Sequence, residues 1–415
     1  VQSDMAVTQS WRRLKRLTLL GPDLRAAFQS LVALGLLAVT AVVAGVTLGE
    51  SAERLEQLPG LLLMVPAAIA LRGNVFGAMG SRLGTSIHAG TFRLSIRPGT
   101  VIGDNVLASL ILTLATSTLL AVLAKGTAVA FGVANSISLT DFVLISLVGG
   151  VLASAAVLVV ALLLSAGSVR YGWDPDNVTA PLVTAMGDLA TVPALLLASG
   201  LVGRTVLAPA LGGTLAIVGA VGLVYGWTRG RRELQTIVRE SMPVLVVAVL
   251  LDLLAGVTVE RRLDAFLESP KLLVLLPAFL AAAGALGGIL SSRLSSKLHL
   301  GTIAASALPG RGARPDLLST LALAVPVFVV SALLTHILGG AFGLGGPSLT
   351  SLISLALLGG LTATLLAMVV AYYGTIAAVR FGLDPDTWGI PLVTSTLDLG
   401  GAFTFILMVE ALGLV

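Results

Sequence analysis

The chain has 415 residues, 56% hydrophobic and only 11% charged, with a formal net charge of +4 and no cysteine. Soluble domains carry about 25% charged residues, so this composition and a mean hydropathy of +1.01 exclude an ordinary soluble enzyme and indicate a polytopic helical membrane protein. The lack of cysteine excludes disulfides and thiolate metal sites. The basic residues lie beside apolar runs, so membrane topology explains them and nucleic-acid binding is not needed.

Apolar runs predict eleven spans, near 30–48, 58–80, 101–124, 140–169, 178–202, 205–227, 241–258, 268–290, 317–337, 349–379 and 389–413. Residues 1–29 read as a basic cytoplasmic tail without a cleavable signal peptide. The outer loop after the first span holds Glu50, Glu53 and Glu56; the loop after the seventh holds Glu260, Asp264 and Glu268. Such acids either line a cation-concentrating mouth or are simply solvated.

The second span contains 71-LRGNVFG, where Arg72, Gly73, Asn74 and Gly77 predict a polar break lining a cavity. Ser81, Arg82 and His88 follow at its inner edge, where the arginine reads as an anchor or gate partner. Asp104 opens the third span, where helix capping and ion contact are equally open. The 174-DPDN element precedes the fifth span and reads as a rigid turn with a capping acid, with a cation-gathering mouth as the alternative.

In the fifth span, Asp188 stands about ten residues in, roughly 15 Å deep and near the middle of a 30 Å hydrocarbon core. Thr184 lies four residues earlier, on the same helix face. The eleventh span repeats this arrangement with Thr394 and Asp398, after 384-DPDT. In lipid a carboxylate is expensive and marks a functional pathway. The other readings are an Asp pair that caps backbone or shares a proton, and a proton relay. Asp252, in the seventh span, is a third buried acid.

The two acid-bearing spans belong to near-copies: 170-VRYGWDPDNVTAPLVTAMGDL-190 matches 380-VRFGLDPDTWGIPLVTSTLDL-400. Residues 45-GVTL match 256-GVTV, and 66-PAAIALRGNVFGAMGSRLGTSIHAG-90 matches 277-PAFLAAAGALGGILSSRLSSKLHLG-301. The unit is five spans used twice, over 30–202 and 241–415, with a connecting span and basic loop over 203–240. One extra crossing gives both units the same orientation, so the fold class is all-α with two parallel five-helix repeats about an axis along the membrane normal. With the N-terminus cytoplasmic and the C-terminus extracellular, eighteen basic residues lie inside against six outside. The repeat is not strict. Asp252 corresponds to Ala41, Arg72 to Ala283 and Asn74 to Ala285.

Two carboxylates on one pathway attract a divalent cation, and all-oxygen ligands suit Mg²⁺, Ca²⁺ or Mn²⁺. Mg²⁺ sheds water reluctantly, so the acids would hold its hydration shell. The Gly-Asn break, the Ser-Arg-Leu segment and the Asp-Pro…Pro-Leu-Val-Thr…Asp helix, in order and in duplicate, resemble the MgtE/solute-carrier-41 magnesium transporters. The resemblance covers about residues 30 to 413. It implies Mg²⁺ as transported substrate, metal contact at Asp188 and Asp398, and a backbone feature at Gly73 and Asn74 that carries only to Gly284 in the second unit. It also implies channel-like flow or coupling to Na⁺. Read from the residues alone, the unmatched Asp252 is a candidate to bind a coupling ion, Na⁺ or H⁺, or to line the central path off-axis. With about 29 residues before the first span, the cytosolic sensing domains of bacterial members are expected to be missing. A monomer is expected to suffice as a pseudo-dimer, and a further homodimer is compatible with it. The competing functions are a proton-coupled carrier of another solute and a non-transporting membrane scaffold or sensor. No Gly-rich Lys-Ser/Thr phosphate loop occurs, so ATP-driven transport is not expected.

Overall fold

The computed structural model describes residues 24–171, 175–204, 207–299, 301–381 and 388–414. Among them are thirteen α-helices and no strands: α1 (Leu24–Glu50), α2 (Ala52–Gln57), α3 (Leu61–His88), α4 (Val101–Ala130), α5 (Leu139–Tyr171), α6 (Pro175–Ser199), α7 (Leu207–Thr228), α8 (Arg232–Glu260), α9 (Leu263–Glu268), α10 (Pro270–His299), α11 (Arg314–Ala341), α12 (Leu349–Arg380) and α13 (Ile390–Ala411). Eleven are long and apolar enough to span a bilayer; α2 and α9, of six residues each, are short helices in the loops between spans.

In lipid every backbone N–H and C=O must be satisfied within the chain, so each apolar run closes into a helix. Several helices outrun their apolar cores. The third span continues to Ala130, the second to His88, and the seventh begins at Arg232 rather than at 241. Hydropathy marks the edge of hydrocarbon, whereas helical hydrogen bonding continues into the headgroup region and beyond. The 33 residues of α5 measure about 50 Å at 1.5 Å per residue, so that helix tilts or projects.

The packing pairs up under the repeat offset. Helix α1 leaves its own neighbours to lie on α10 and α11, touching α6 of its own unit. Helix α8 does the corresponding thing, lying on α3 and α4 and touching α13. Helices α3 and α10 are the most enclosed, with 67% and 78% of their span windows buried, which places them at the centre. Helix α7 packs on α4, α5 and α8 and leaves most of its surface to lipid, with 17% of its span window buried.

The exchanged helices approach through glycine. A Cβ on Gly45 would overlap the backbone carbonyl of Val274 on α10, and one on Gly256 the backbone carbonyl of Leu63 on α3. These are corresponding positions in the two units, and they explain the matched 45-GVTL and 256-GVTV sequences. Helices in lipid gain little from hydrophobic association, so close backbone contact of this kind holds them together.

At the end of α8, the carboxylate of Glu260 accepts hydrogen bonds from the N–H groups of Gly60, at 2.6 Å, and Leu63, at 3.0 Å. It satisfies two free donors at the N-terminus of α3. Gly60 has φ of 93°, a left-handed conformation that favours glycine. Glu260 is buried and therefore leaves the acidic mouth expected from the sequence, while Glu50, Glu53, Glu56, Asp264 and Glu268 are exposed.

Two outcomes follow from these contacts. Gly45→Val or Gly256→Val forces the helices apart and should lower stability by about 1–3 kcal/mol, read as a lower thermal midpoint in detergent. Gly213→Ala is the matched control, because open space surrounds that position. Glu260→Ala strands two buried amides and should cost about 1–3 kcal/mol, measured the same way.

Candidate functional site

Helices α6 and α13, the fifth of each unit, carry Thr184 with Asp188 and Thr394 with Asp398. Each is wedged between the central helix and the long fourth helix of its own unit: α6 between α3 and α5, α13 between α10 and α12. Asp188 is 4% exposed and Asp398 is half-buried.

Small residues on the central helices make room for this face. A Cβ added at Gly73 would stand 3.7 Å from Thr184 Cγ2, and one at Gly77 would stand 3.8 Å from Thr184 Oγ1. In the other unit a Cβ at Gly284 would stand 3.9 Å from Asp398 Oδ1, and one at Gly288 would stand 3.8 Å from Thr394 Cγ2. The Thr394 hydroxyl donates to the carbonyl of Pro391 at 3.0 Å.

The predicted break at 71-LRGNVFG is not a break. Helix α3 runs without interruption from Leu61 to His88. The glycines serve a side-to-side approach rather than an unwound backbone, and Arg72 turns away to hydroxyls on α4 and α5. The amide Nδ2 of Asn74 is buried without a partner.

Asp252, fully buried on α8, comes to the same place. Ser395 Oγ, on α13 three residues before Asp398, donates to its Oδ2 at 3.2 Å. Ser395 was not among the expected residues. Its signal was present: it corresponds to Ala185, so a Ser/Ala difference accompanies the Asp252/Ala41 difference.

Oxygen Oδ2 of Asp188 and Oδ1 of Asp252 are buried without hydrogen-bond partners, like the Asn74 amide. Buried polar atoms in native proteins are almost always paired, so orphans call for a water or an ion. Among the described residues, no group of three or more His, Cys, Asp or Glu converges closely enough to hold a metal directly.

Other expected residues are structural. Asp104 Oδ1 accepts from the Gly99 N–H at 3.0 Å, inside the turn that starts α4, where Thr100 is the N-cap. Arg82 donates to Asn105 Oδ1 at 2.7 Å. Arg293 donates to Ser319 and Ser30, both at 3.0 Å, tying α10 to α11 and α1. Both arginines are anchors. The side chains of His88, His299 and Asp176, the acids Asp174, Asp384 and Asp386, and residues 1–23 lie outside the described residues.

A family model described as a divalent cation transporter, MgtE, matches residues 65–198 and again 276–408. Asp188 and Asp398 fall inside the two matches, whereas Asp252 falls between them. Solute carrier family 41 member 2 of Gallus gallus is 25% identical over 90% of this chain and 68% of its own length. The Homo sapiens member 2 is 24% identical over the same shares. Member 3 of Mus musculus is 24% identical over 59% of this chain and 51% of its own. This chain thus spans between half and about two-thirds of these relatives. No solved structure gives a significant match. With two family matches that together cover more than half of its residues, the chain belongs to the MgtE family of divalent cation transporters.

Proposed function

We propose that this protein moves divalent cations, Mg²⁺ first among them, across the membrane along a path between its two five-helix units. The observation that carries the reading is the pair Asp188 and Asp398, duplicated on α6 and α13 and set among apolar helices. Two carboxylates, two threonine hydroxyls one turn away and the Asn74 amide form an all-oxygen and amide lining. That chemistry suits a hard cation. With no three-acid cluster among the described residues, the lining suits an ion that keeps part of its water shell, as Mg²⁺ does. Family membership supports the substrate class, and the basic inner loops support a cytoplasmic N-terminus and an extracellular C-terminus. Reciprocal packing of α1 on α10 and α8 on α3 supports a monomer that works as a pseudo-dimer.

A second reading concerns coupling. Asp252 and Ser395 give the second unit an oxygen cluster that the first lacks. A monovalent ion bound there would let Na⁺ or H⁺ drive exchange.

Mg²⁺ uptake into proteoliposomes tests both. Asp188→Asn and Asp398→Asn should each reduce Mg²⁺ flux at least tenfold, by analogy with loss of a metal-contacting group, while unfolding midpoints stay near wild type. Normal flux in both variants would remove the site. An opposing Na⁺ gradient should drive Mg²⁺ uphill if coupling operates, and Asp252→Asn should abolish that drive while leaving downhill flux measurable. Flux that follows only the Mg²⁺ gradient in the wild type would identify a uniporter or channel.

A further inference from the structure

The loop between α3 and α4 holds two large apolar side chains away from the protein. Leu94 and Ile96 are 73% and 74% exposed. Arg93 and Arg97 flank them and are exposed too. Among the described residues no carboxylate pairs with either arginine. The loop is tied down at both ends. The N–H groups of Thr91 and Phe92 donate to the Ser86 carbonyl on α3, at 3.0 and 3.1 Å. Thr100 Oγ1 donates to the Arg97 carbonyl at 2.7 Å, and a Cβ on Gly103 of α4 would overlap that same carbonyl. The fold therefore fixes an amphipathic tip in place.

The second unit has the same loop frame without that tip. Under the repeat, Thr91, Ser95, Pro98 and Gly99 recur as Thr302, Ser306, Pro309 and Gly310. Arg93, Leu94, Ile96 and Arg97 become Ala304, Ala305, Ala307 and Leu308, and no charge stands between Gly301 and Gly310. That loop is latched to its own unit. Tyr372 Oη donates to the Ser306 carbonyl and Tyr373 Oη to the Ala307 carbonyl, both at 2.9 Å. The first unit has Leu162 and Leu163 at the tyrosine positions, so its loop lacks the latch. One loop is held by protein; the other offers charge and apolar surface outward.

The surroundings of the first loop say what it meets. A Cβ on Gly99 would overlap the guanidinium of Arg231, which lies three residues past the end of α7. Helix α7 leaves most of its surface to lipid, and its last turn exposes Tyr225 and Trp227. Such rings sit at the headgroup level of a bilayer, so the loop stands at the membrane surface beside a lipid-facing helix. Residues 89–105 and 229–240 hold six arginines against three acids, and one of those acids, Asp104, is engaged by the Gly99 N–H. We propose that this loop and the start of α8 bind an anionic phospholipid of the leaflet they face, with Arg93, Arg97 and Arg231 on its phosphate and Leu94 and Ile96 among its acyl chains. Arginine offers phosphate oxygens paired N–H donors, and the apolar tip adds a contact that a soluble anion cannot make. Through Ser86 the bound lipid bears on the end of the central helix α3. This surface requires only that the chain span a bilayer; it is independent of the cation site.

The full chain in neutral detergent is titrated with phosphatidylglycerol or phosphatidylcholine, and bound lipid is counted by native mass spectrometry. Each arginine at an anionic membrane surface contributes about fivefold. Arg93→Gln with Arg97→Gln should therefore weaken phosphatidylglycerol binding on the order of twentyfold and leave phosphatidylcholine binding unchanged. Arg231→Gln, in a separate segment, should weaken it about fivefold and serves if the loop variant does not fold. Leu94→Ser with Ile96→Ser should weaken both lipids. Arg311→Gln with Arg314→Gln removes the same charge beside the second unit's loop and should leave binding near wild type. Unchanged phosphatidylglycerol binding in the Arg93, Arg97 and Arg231 variants overturns the proposal. Equal loss in the Arg311 and Arg314 variant also overturns it, by marking a general effect of net charge. So does displacement of the lipid by inorganic phosphate at matched ionic strength, which would mark a free-anion site.

Discussion

Close backbone contact between exchanged helices is the constraint on which the rest of this protein depends. Lipid removes most of the hydrophobic drive for helices to associate, so van der Waals contact and hydrogen bonds must hold them. Gly45 against Val274 and Gly256 against Leu63 provide that contact twice, at corresponding positions. Each first helix thereby lies on the other unit's centre, and neither unit is complete alone. Glu260 adds a charged hydrogen bond from α8 to the start of α3. The placement of Asp252 beside Ser395 follows from this, because α8 is fixed between α3, α4 and α13.

The second theme is the cost of charge in the bundle. Asp188, Asp252, Asp398 and Arg72 all lie where an unpaired charge is unfavourable. They are distributed unequally: a duplicated acid pair common to both units, one extra acid in the second, one base in the first. The extra acid and the extra base break the near-symmetry in opposite senses of charge. Because α6 and α13 are held against glycine-lined faces, the carboxylates stay near the helix surface rather than retreating to solvent.

The sequence by itself determined the number of spans, their duplication and the two acids on the fifth helix of each unit. These are local or periodic signals: a run of apolar residues must become a helix in lipid, and a repeated motif is visible without knowing where it goes. The helix ends were less legible, since hydrogen bonding does not stop where hydropathy does. The supposed break at Gly73 and Asn74 was misread, because glycine in a span serves either an unwound backbone or a close neighbour, and only the neighbour, Thr184, distinguishes them. Tertiary structure alone decided the exchange of first helices, the meeting of Asp252 and Ser395, the capping role of Glu260, and the burial of Arg72 among hydroxyls. Each joins residues from helices distant in the chain, and side-chain partnership across such distances depends on how helices cross, which no local pattern encodes.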